Sequence, residues 1–287
     1  MACYHPFKMD VPRRGAEHIL ETRTLPCGKC LGCRANQARD WAVRIMHERQ
    51  MHEHGWFITL TYDNERIPLH GSLHPPDLQT FFKALRKRLP PKKLSYFACG
   101  EYGENTQRPH YHAVLFGPDF LDRIPGPTRN SHPTWRSQTL DRIWGHGLTD
   151  ITHLTAGTAS YIAGYVRKKI SKRSHPNAYT RVDDHTGEIF DIQPEFTRMS
   201  RRPAIAKRWL EKFWTDVYPK DEVVLSGRPY RPPRFYDKWM AQHHPDILED
   251  VLTKREQHAV FLDDAKLASK EAIHKARVSL YQKRNKI

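Results

Sequence analysis

The sequence predicts an α+β fold: a sheet flanked by helices, with a cysteine-rich N-terminal segment and a mainly helical C-terminal extension. Two observations carry this. Stretches at 56–63, 94–100, 110–116 and 148–154 are apolar or alternate over strand lengths, while the stretches between and beyond them repeat at helical spacing. The elements run strand, helix, strand, strand, helix, strand, helix, which lacks the strict alternation of a parallel α/β sheet.

Residues 1–36 are mixed, with short extended pieces at 3–7 and 18–25. Residues 37–54 read as a helix, with Trp41, Ile45 and Met46 at helical spacing. WFITLTYD at 56–63 alternates as a buried strand does. Asp77, after Pro75 and Pro76, is an N-cap candidate for a helix carrying Leu78, Phe81, Phe82 and Leu85, and Pro90 and Pro91 stop it. The strands at 94–100 and 110–116 flank the polar EYGENTQRP, which suits a hairpin with a loose loop. A loop at 117–130, a short helix at 137–144, a strand at 148–154 and a helix at 157–170 follow. Residues 171–194 are polar and interrupted. A helix at 204–218, a short VVL strand and the proline-rich PYRPPRF lead to one or two charged helices from about residue 245. No internal repeat is present. Three segments result: a cysteine-rich 1–36, a core at 37–175, and a basic linker with a mainly helical region at 176–287.

The 287 residues suffice for one large domain or a core with an appendage. Lys and Arg number 47 against 32 Asp and Glu, a formal net charge of +15, which implies a polyanionic partner, most often nucleic acid. A membrane surface is disfavoured: no apolar run approaches the roughly 20 residues of a span, no signal peptide is evident, and the basic residues are spread along the chain. A reducing cytoplasm is therefore expected. No phosphate-binding G-x-x-x-x-G-K-[ST] loop occurs, so neither ATPase nor helicase activity is expected.

Two weak motifs gain force together. His110 and His112 stand two apart on a strand, so they project from one face and can share an ion, while Tyr111 points the other way. A divalent ion working on phosphate also prefers a carboxylate. Glu101, at the end of the preceding strand, is the first candidate and Glu104 the second. Such a site leaves positions open for water and a phosphate oxygen. Tyr161 and Tyr165 stand four apart on a helix, with both hydroxyls on one face and Lys168 and Lys169 one turn on. A phenol of pKa about 10 needs such cations to become a nucleophile. The bland alternatives are exposed histidines and packed tyrosines. The joint occurrence of the two motifs in a basic domain favours phosphodiester transfer to tyrosine.

Cys27, Cys30 and Cys33 fall within the seven residues CGKCLGC. A closed zinc site takes four ligands, with Cys3 as the natural fourth and His5 as the alternative, against reduced free thiols. Cys99 lies in a strand and reads as a small buried residue. Pro26-Cys27-x-x-Cys30 also matches part of the nucleobase deaminase pattern, but the upstream His-x-Glu is missing.

His110-Tyr111-His112 followed by Ala113-Val114-Leu115-Phe116 resembles motif II of the HUH endonucleases. FITLTYD at 57–63 resembles their motif I, and YIAGYVRKK at 161–169 resembles motif III in its two-tyrosine form. Glu101, in a Gly-Glu pair, matches the third metal ligand of replication initiators of small circular-DNA viruses. LPCGKCLGCR at 25–34 and PEFTRMSRRPAI at 194–205 further resemble the replication initiators of microviruses, the gokushovirus-type single-stranded DNA phages. The resemblance implies a central antiparallel sheet of about five strands, HUH/RRM-like, and Mg²⁺ or Mn²⁺ as cofactor. It implies attack of a tyrosine on single-stranded DNA at the viral origin, a 5′-phosphotyrosine intermediate, and a second tyrosine that cleaves the regenerated origin. It also implies a host DNA polymerase and helicase as partners, in the host bacterial cytoplasm. Tyr165 has the stronger claim to first attack, since Tyr165-x-x-Lys168 fits the pattern of single-tyrosine relatives. Arg167, Arg198, Arg201 and Arg202 are candidate DNA contacts that give affinity rather than sequence choice. The rival from another class is a passive single-stranded DNA or RNA binding module, which explains the charge but leaves the histidines and tyrosines without a role.

Overall fold

The computed structural model of the chain describes residues 3–13, 16–89, 94–128, 133–172, 177–183, 186–260 and 262–284. Strands β1 (Phe7–Arg13) and β2 (Ala16–Leu25) form an antiparallel ribbon of their own ahead of α1 (Leu31–Arg49). Then come β3 (Gly55–Thr61), α2 (Pro75–Arg88), β4 (Ser95–Tyr102), β5 (Pro109–Phe116), β6 (Ile124–Pro125), β7 (Trp135–Arg136), α3 (Gln138–Trp144), β8 (Thr149–His153) and α4 (Ala156–Lys172). The chain continues through β9 (Thr180–Val182), β10 (Ile189–Asp191), β11 (Phe196–Met199), α5 (Lys207–Val217), β12 (Val223–Leu225), β13 (Arg228–Tyr230), α6 (Arg234–His243), α7 (Pro245–Gln257) and α8 (Asp264–Arg284).

The fold is α+β, as expected. The central sheet has the order β11-β4-β5-β3-β8-β7-β6, with every neighbouring pair antiparallel. Five of its strands have four or more residues, and the two-residue β6 and β7 lengthen one edge. Alternation along β3, β4 and β5 divides the sheet into two apolar faces. One face sends Ile58, Leu60, Ala98, Tyr111, Ala113 and Leu115 against Leu78, Phe81, Phe82 and Leu85 of α2 and Leu140, Ile143 and Trp144 of α3. The other sends Phe57, Phe97, Cys99, Val114 and Phe116 against Ala42 and Ile45 of α1 and Ala159, Ile162 and Ala163 of α4. Full burial of each large apolar side chain here contributes about 1.5–3 kcal/mol. The rows on this second face run on into polar residues, Phe97–Cys99–Glu101 on β4 and Phe116–Val114–His112–His110 on β5. The same alternation that seats α1 and α4 thus carries the candidate site beyond the apolar rows.

Tyr111 points away from that site, as its position between the histidines requires. Its hydroxyl donates to the His74 carbonyl at 2.9 Å, accepts from the His74 N–H at 2.9 Å, and lies 3.0 Å from the Tyr62 hydroxyl. A third apolar cluster packs the far flank of α1, through Val43, against Trp209, Leu210, Tyr236, Met240, Leu248 and Val251.

Several elements differ from the sequence expectation. Helix α1 begins at Leu31 rather than 37, because the Cys30 side chain accepts the Cys33 N–H and caps it inside the cysteine segment. The stretch 171–194 contains the β9–β10 hairpin. β13 and the start of α6 fall within the proline-rich 229–235, with Pro233 at the N-cap of α6, where a missing N–H costs nothing. Beyond residue 175 the chain returns to the sheet: β11 pairs with β4, with Thr197 opposite Cys99.

Candidate active site and metal centres

Strand register builds the first site. Glu101 stands opposite His110, and Cys99 opposite His112, so the carboxylate and both imidazoles share one face. His110 Nε2 lies 2.8 Å and His112 Nε2 3.0 Å from the same oxygen, Glu101 Oε1. Glu101 and His112 are buried and His110 is partly so. A six-coordinate ion with bonds of about 2.1 Å separates neighbouring ligand atoms by about 3.0 Å, so these spacings fit Mg²⁺ or Mn²⁺. The hydrogen bonding points the same way. His110 Nδ1 lies 3.1 Å from the Arg108 carbonyl, which only accepts, so Nδ1 carries the proton. A neutral His110 then aims an Nε2 lone pair at a carboxylate, an arrangement that is favourable only with a cation between them. Burial pushes the Glu101 carboxyl up, but hydrogen bonds and charge from the two histidines outweigh it and hold the group well below the usual carboxylate range.

Helix α4 lays its tyrosines against this cluster. Tyr165, 5% exposed, donates its hydroxyl to Glu101 Oε1 at 2.7 Å. Tyr161, one turn earlier and 51% exposed, has its ring 5.2 Å from that of Tyr165 and 5.4 Å from that of His112. Desolvation, then the Glu101 charge, pushes both phenols up, Tyr161 to about 12. A divalent cation at Glu101 would reverse that field.

The structure therefore brings together Glu101, His110, His112, Tyr161 and Tyr165. Glu104 lies exposed in the β4–β5 turn, outside the three-residue cluster. Arg167, Lys168 and Lys169 belong to α4, and their side chains lie outside the described residues. Arg201 and Arg202 are exposed in the turn after β11. Arg198 pairs with Ala98 and lies over the Phe196 ring at 5.3 Å, on the sheet face opposite the histidines. Sequence reasoning missed Thr59, whose Oγ1 is 3.0 Å from His112 Nδ1. The alternation of FITLT puts residue 59 on a definite face, but only the register, Thr59 opposite His112, brings it to the imidazole.

The second cluster is Cys3, Cys27, Cys30 and Cys33, whose four sulfurs lie within 4.8 Å of one another. Cys3 Sγ is 3.6 Å from Cys27 Sγ and 3.9 Å from Cys30 Sγ, and no disulfide is formed. Tetrahedral zinc with Zn–S bonds of about 2.3 Å separates its sulfurs by about 3.8 Å, so the set fits Zn²⁺. Backbone N–H groups of Tyr4 and Cys33 point at Cys30 Sγ, that of Cys27 at Cys3 Sγ, and that of Cys30 at Cys27 Sγ. Burial pushes the Cys30 thiol up, but these N–H donors outweigh it and bring it to about 6. His5 instead lies 3.1 Å from Glu271 of α8. Cys99 is fully buried in β4.

Fold and site together define a DNA-replication protein: the family model described as replication-associated protein ORF2 matches residues 55–170, the span from β3 through most of α4. Replication-associated protein VP4 of Bdellovibrio phage phiMH2K is 33% identical over 237 residues, covering 79% of this chain and 70% of the relative. Replication-associated protein ORF2 of Spiroplasma virus 4 is 29% identical over 252 residues, 82% of this chain and 74% of the relative. Replication-associated protein ORF4 of Chlamydia phage 1 is 27% identical over 223 residues, 74% of this chain and 52% of the relative. The chain belongs to the replication-associated proteins of microviruses. No solved structure matches it. No helix among the described residues is long and apolar enough to cross a membrane.

Proposed function

We propose that the protein is a rolling-circle replication initiator that nicks and rejoins single-stranded DNA at the viral origin through a 5′-phosphotyrosine intermediate. One observation carries the proposal: the Tyr165 hydroxyl and both histidine Nε2 atoms converge on a single oxygen of Glu101. Glu101, His110 and His112 would hold Mg²⁺ or Mn²⁺, which supplies Lewis acidity toward a phosphate oxygen when bound. Tyr165 Oη attacks the phosphorus and loses its proton. The P–O3′ bond breaks, the 3′ oxygen leaves and takes up a proton, and the 5′-phosphate stays on the tyrosine. Tyr161, one turn away, performs the same step on the regenerated origin, and the first free 3′-hydroxyl displaces Tyr165 to close the circle. Lys168 and Lys169 favour the phenolate and the developing charge, while Arg167, Arg198, Arg201 and Arg202 contact the strand. A host DNA polymerase extends the 3′-hydroxyl and a host helicase unwinds, in the bacterial cytoplasm. The endonuclease core runs over 37–175 with β11 added, followed by the basic linker and helical region, and the 1–36 segment carries a structural Zn²⁺.

The test is incubation with circular single-stranded DNA and Mn²⁺, then mass mapping of nucleotide-linked peptides. Wild type is expected to carry the adduct on Tyr165 after first cleavage. Tyr165→Phe should lower that step roughly a thousandfold or more, while Tyr161→Phe should keep it and lose rejoining. An adduct on neither residue overturns the mechanism, and EDTA-insensitive binding without an adduct would favour a passive binding module.

A further inference from the structure

We infer that Thr59 is a positioning residue for the cation site, holding the His112 ring so that Nε2, rather than a ring carbon, faces Glu101. The inference rests on the Glu101–His110–His112 cluster being a cation site and adds the group that orients one of its ligands.

His112 is packed among rings. Phe57 stacks on it at 5.2 Å, Tyr165 stacks at 5.8 Å, and Tyr161 meets it edge-on at 5.4 Å. These contacts fix the plane of the imidazole. They do not fix its flip: a half-turn about χ2 exchanges Nδ1 with Cδ2 and Nε2 with Cε1 at nearly the same shape. A ring face packs equally well against either arrangement. The Thr59 hydroxyl, 3.0 Å from Nδ1, does distinguish them, because carbon offers no comparable hydrogen bond. By accepting from Nδ1–H it also selects the tautomer whose Nε2 lone pair is free for an ion.

The two histidines are held differently. His110 has the Arg108 carbonyl at 3.1 Å, a main-chain acceptor that remains whatever side chain stands there. His112 depends on a side chain, which β3 supplies. Both Thr59 and Thr61 lie on this face of β3, opposite His112 and His110 respectively. Thr61, however, donates its hydroxyl to the Leu148 carbonyl at 2.8 Å. The two threonines are thus alike in sequence and in face, and they differ in what they bond.

Titration of the full chain with Mn²⁺, read by calorimetry and by the Mn²⁺ EPR signal, tests this alongside thermal unfolding in metal-free buffer. Thr59→Val, nearly isosteric but without the hydroxyl, should weaken Mn²⁺ binding about 10–100-fold, the usual cost of losing such a partner, at near-wild-type unfolding temperature. Thr59→Ser, which keeps the hydroxyl, should restore affinity to within about threefold of wild type on the same principle. Thr61→Val should bind Mn²⁺ as wild type does. Wild-type Mn²⁺ affinity in Thr59→Val, or in Thr59→Ala should the valine variant not fold, overturns the positioning role and leaves the cation site standing. Wild-type protein that binds no Mn²⁺, or binds it equally with His112→Ala, overturns the cation site and this role with it.

Discussion

At the scale of single residues, Glu101 serves two purposes at once. It gathers two imidazoles and accepts the Tyr165 hydroxyl on the same oxygen, so the cation site and the candidate nucleophile are coupled through one atom. Glu101→Gln keeps the shape and removes the charge. Mn²⁺ affinity is expected to fall at least about 100-fold, because hard divalent cations take charged oxygen ligands, and calorimetry reads this directly. His47 shows the opposite use of a histidine. It is buried, stacks on Trp209 at 3.5 Å between ring centroids and lies 2.7 Å from the Tyr236 hydroxyl. Burial pushes its pKa down to about 4. An unfolded histidine takes up a proton near pH 6.5 while the folded one does not, so stability is full above about 6.5 and falls as pH drops toward 4. The loss approaches about 3 kcal/mol from this residue. Denaturation at pH 7 and pH 4.5 should show a pH-dependent loss in wild type that shrinks in His47→Phe, which keeps the ring stack.

At the scale of elements, the cysteine knuckle and α1 form one unit, since Cys30 is both a cluster thiol and the N-cap of the helix. Serine is a good N-cap and a poor zinc ligand, so Cys30→Ser separates the two roles. Elemental analysis of wild type is expected to find one zinc per chain. The serine variant should lose it and unfold at lower temperature by several kcal/mol, since zinc binding and folding are coupled. Similar physics explains which elements were legible. β3, β4, β5 and β8 read clearly because each alternates against two packed faces, and α2 and α4 because their apolar stripes are wide. β11 was opaque: FTRM is a four-residue edge strand with a polar, half-exposed pattern, and its partner β4 lies about 100 positions earlier. The His, Glu and Tyr residues of the site were legible through spacing on single elements and on one hairpin. Thr59 was not, because its role depends on β3 being the neighbour of β5, a pairing that no local pattern encodes.

At the scale of the whole molecule, the chain closes on itself. The Tyr4 hydroxyl meets His274 Nδ1 at 2.8 Å and His5 meets Glu271 at 3.1 Å, so α8 lies against the N-terminal knuckle. That closure leaves the net charge of +15 distributed around one body rather than on separate tails. A strand lying over the His–Glu cluster would reach the β4–β11 edge, where Arg201 and Arg202 are exposed just past β11, while Arg198 faces the other side of the sheet. Each phosphate neutralised on single-stranded DNA contributes about 0.7 to the slope of log affinity against log salt. Arg201→Ala and Arg202→Ala are therefore each expected to lower that slope by about 0.7 in anisotropy titrations with an origin-length oligonucleotide. Arg198→Ala should lower it less, and Lys266→Ala, on the remote α8, should leave it unchanged. Equal losses for Arg198 and its neighbours would mean that the strand wraps the β11 edge and touches both faces of the sheet. In that case the edge strand itself would guide the origin toward Tyr165.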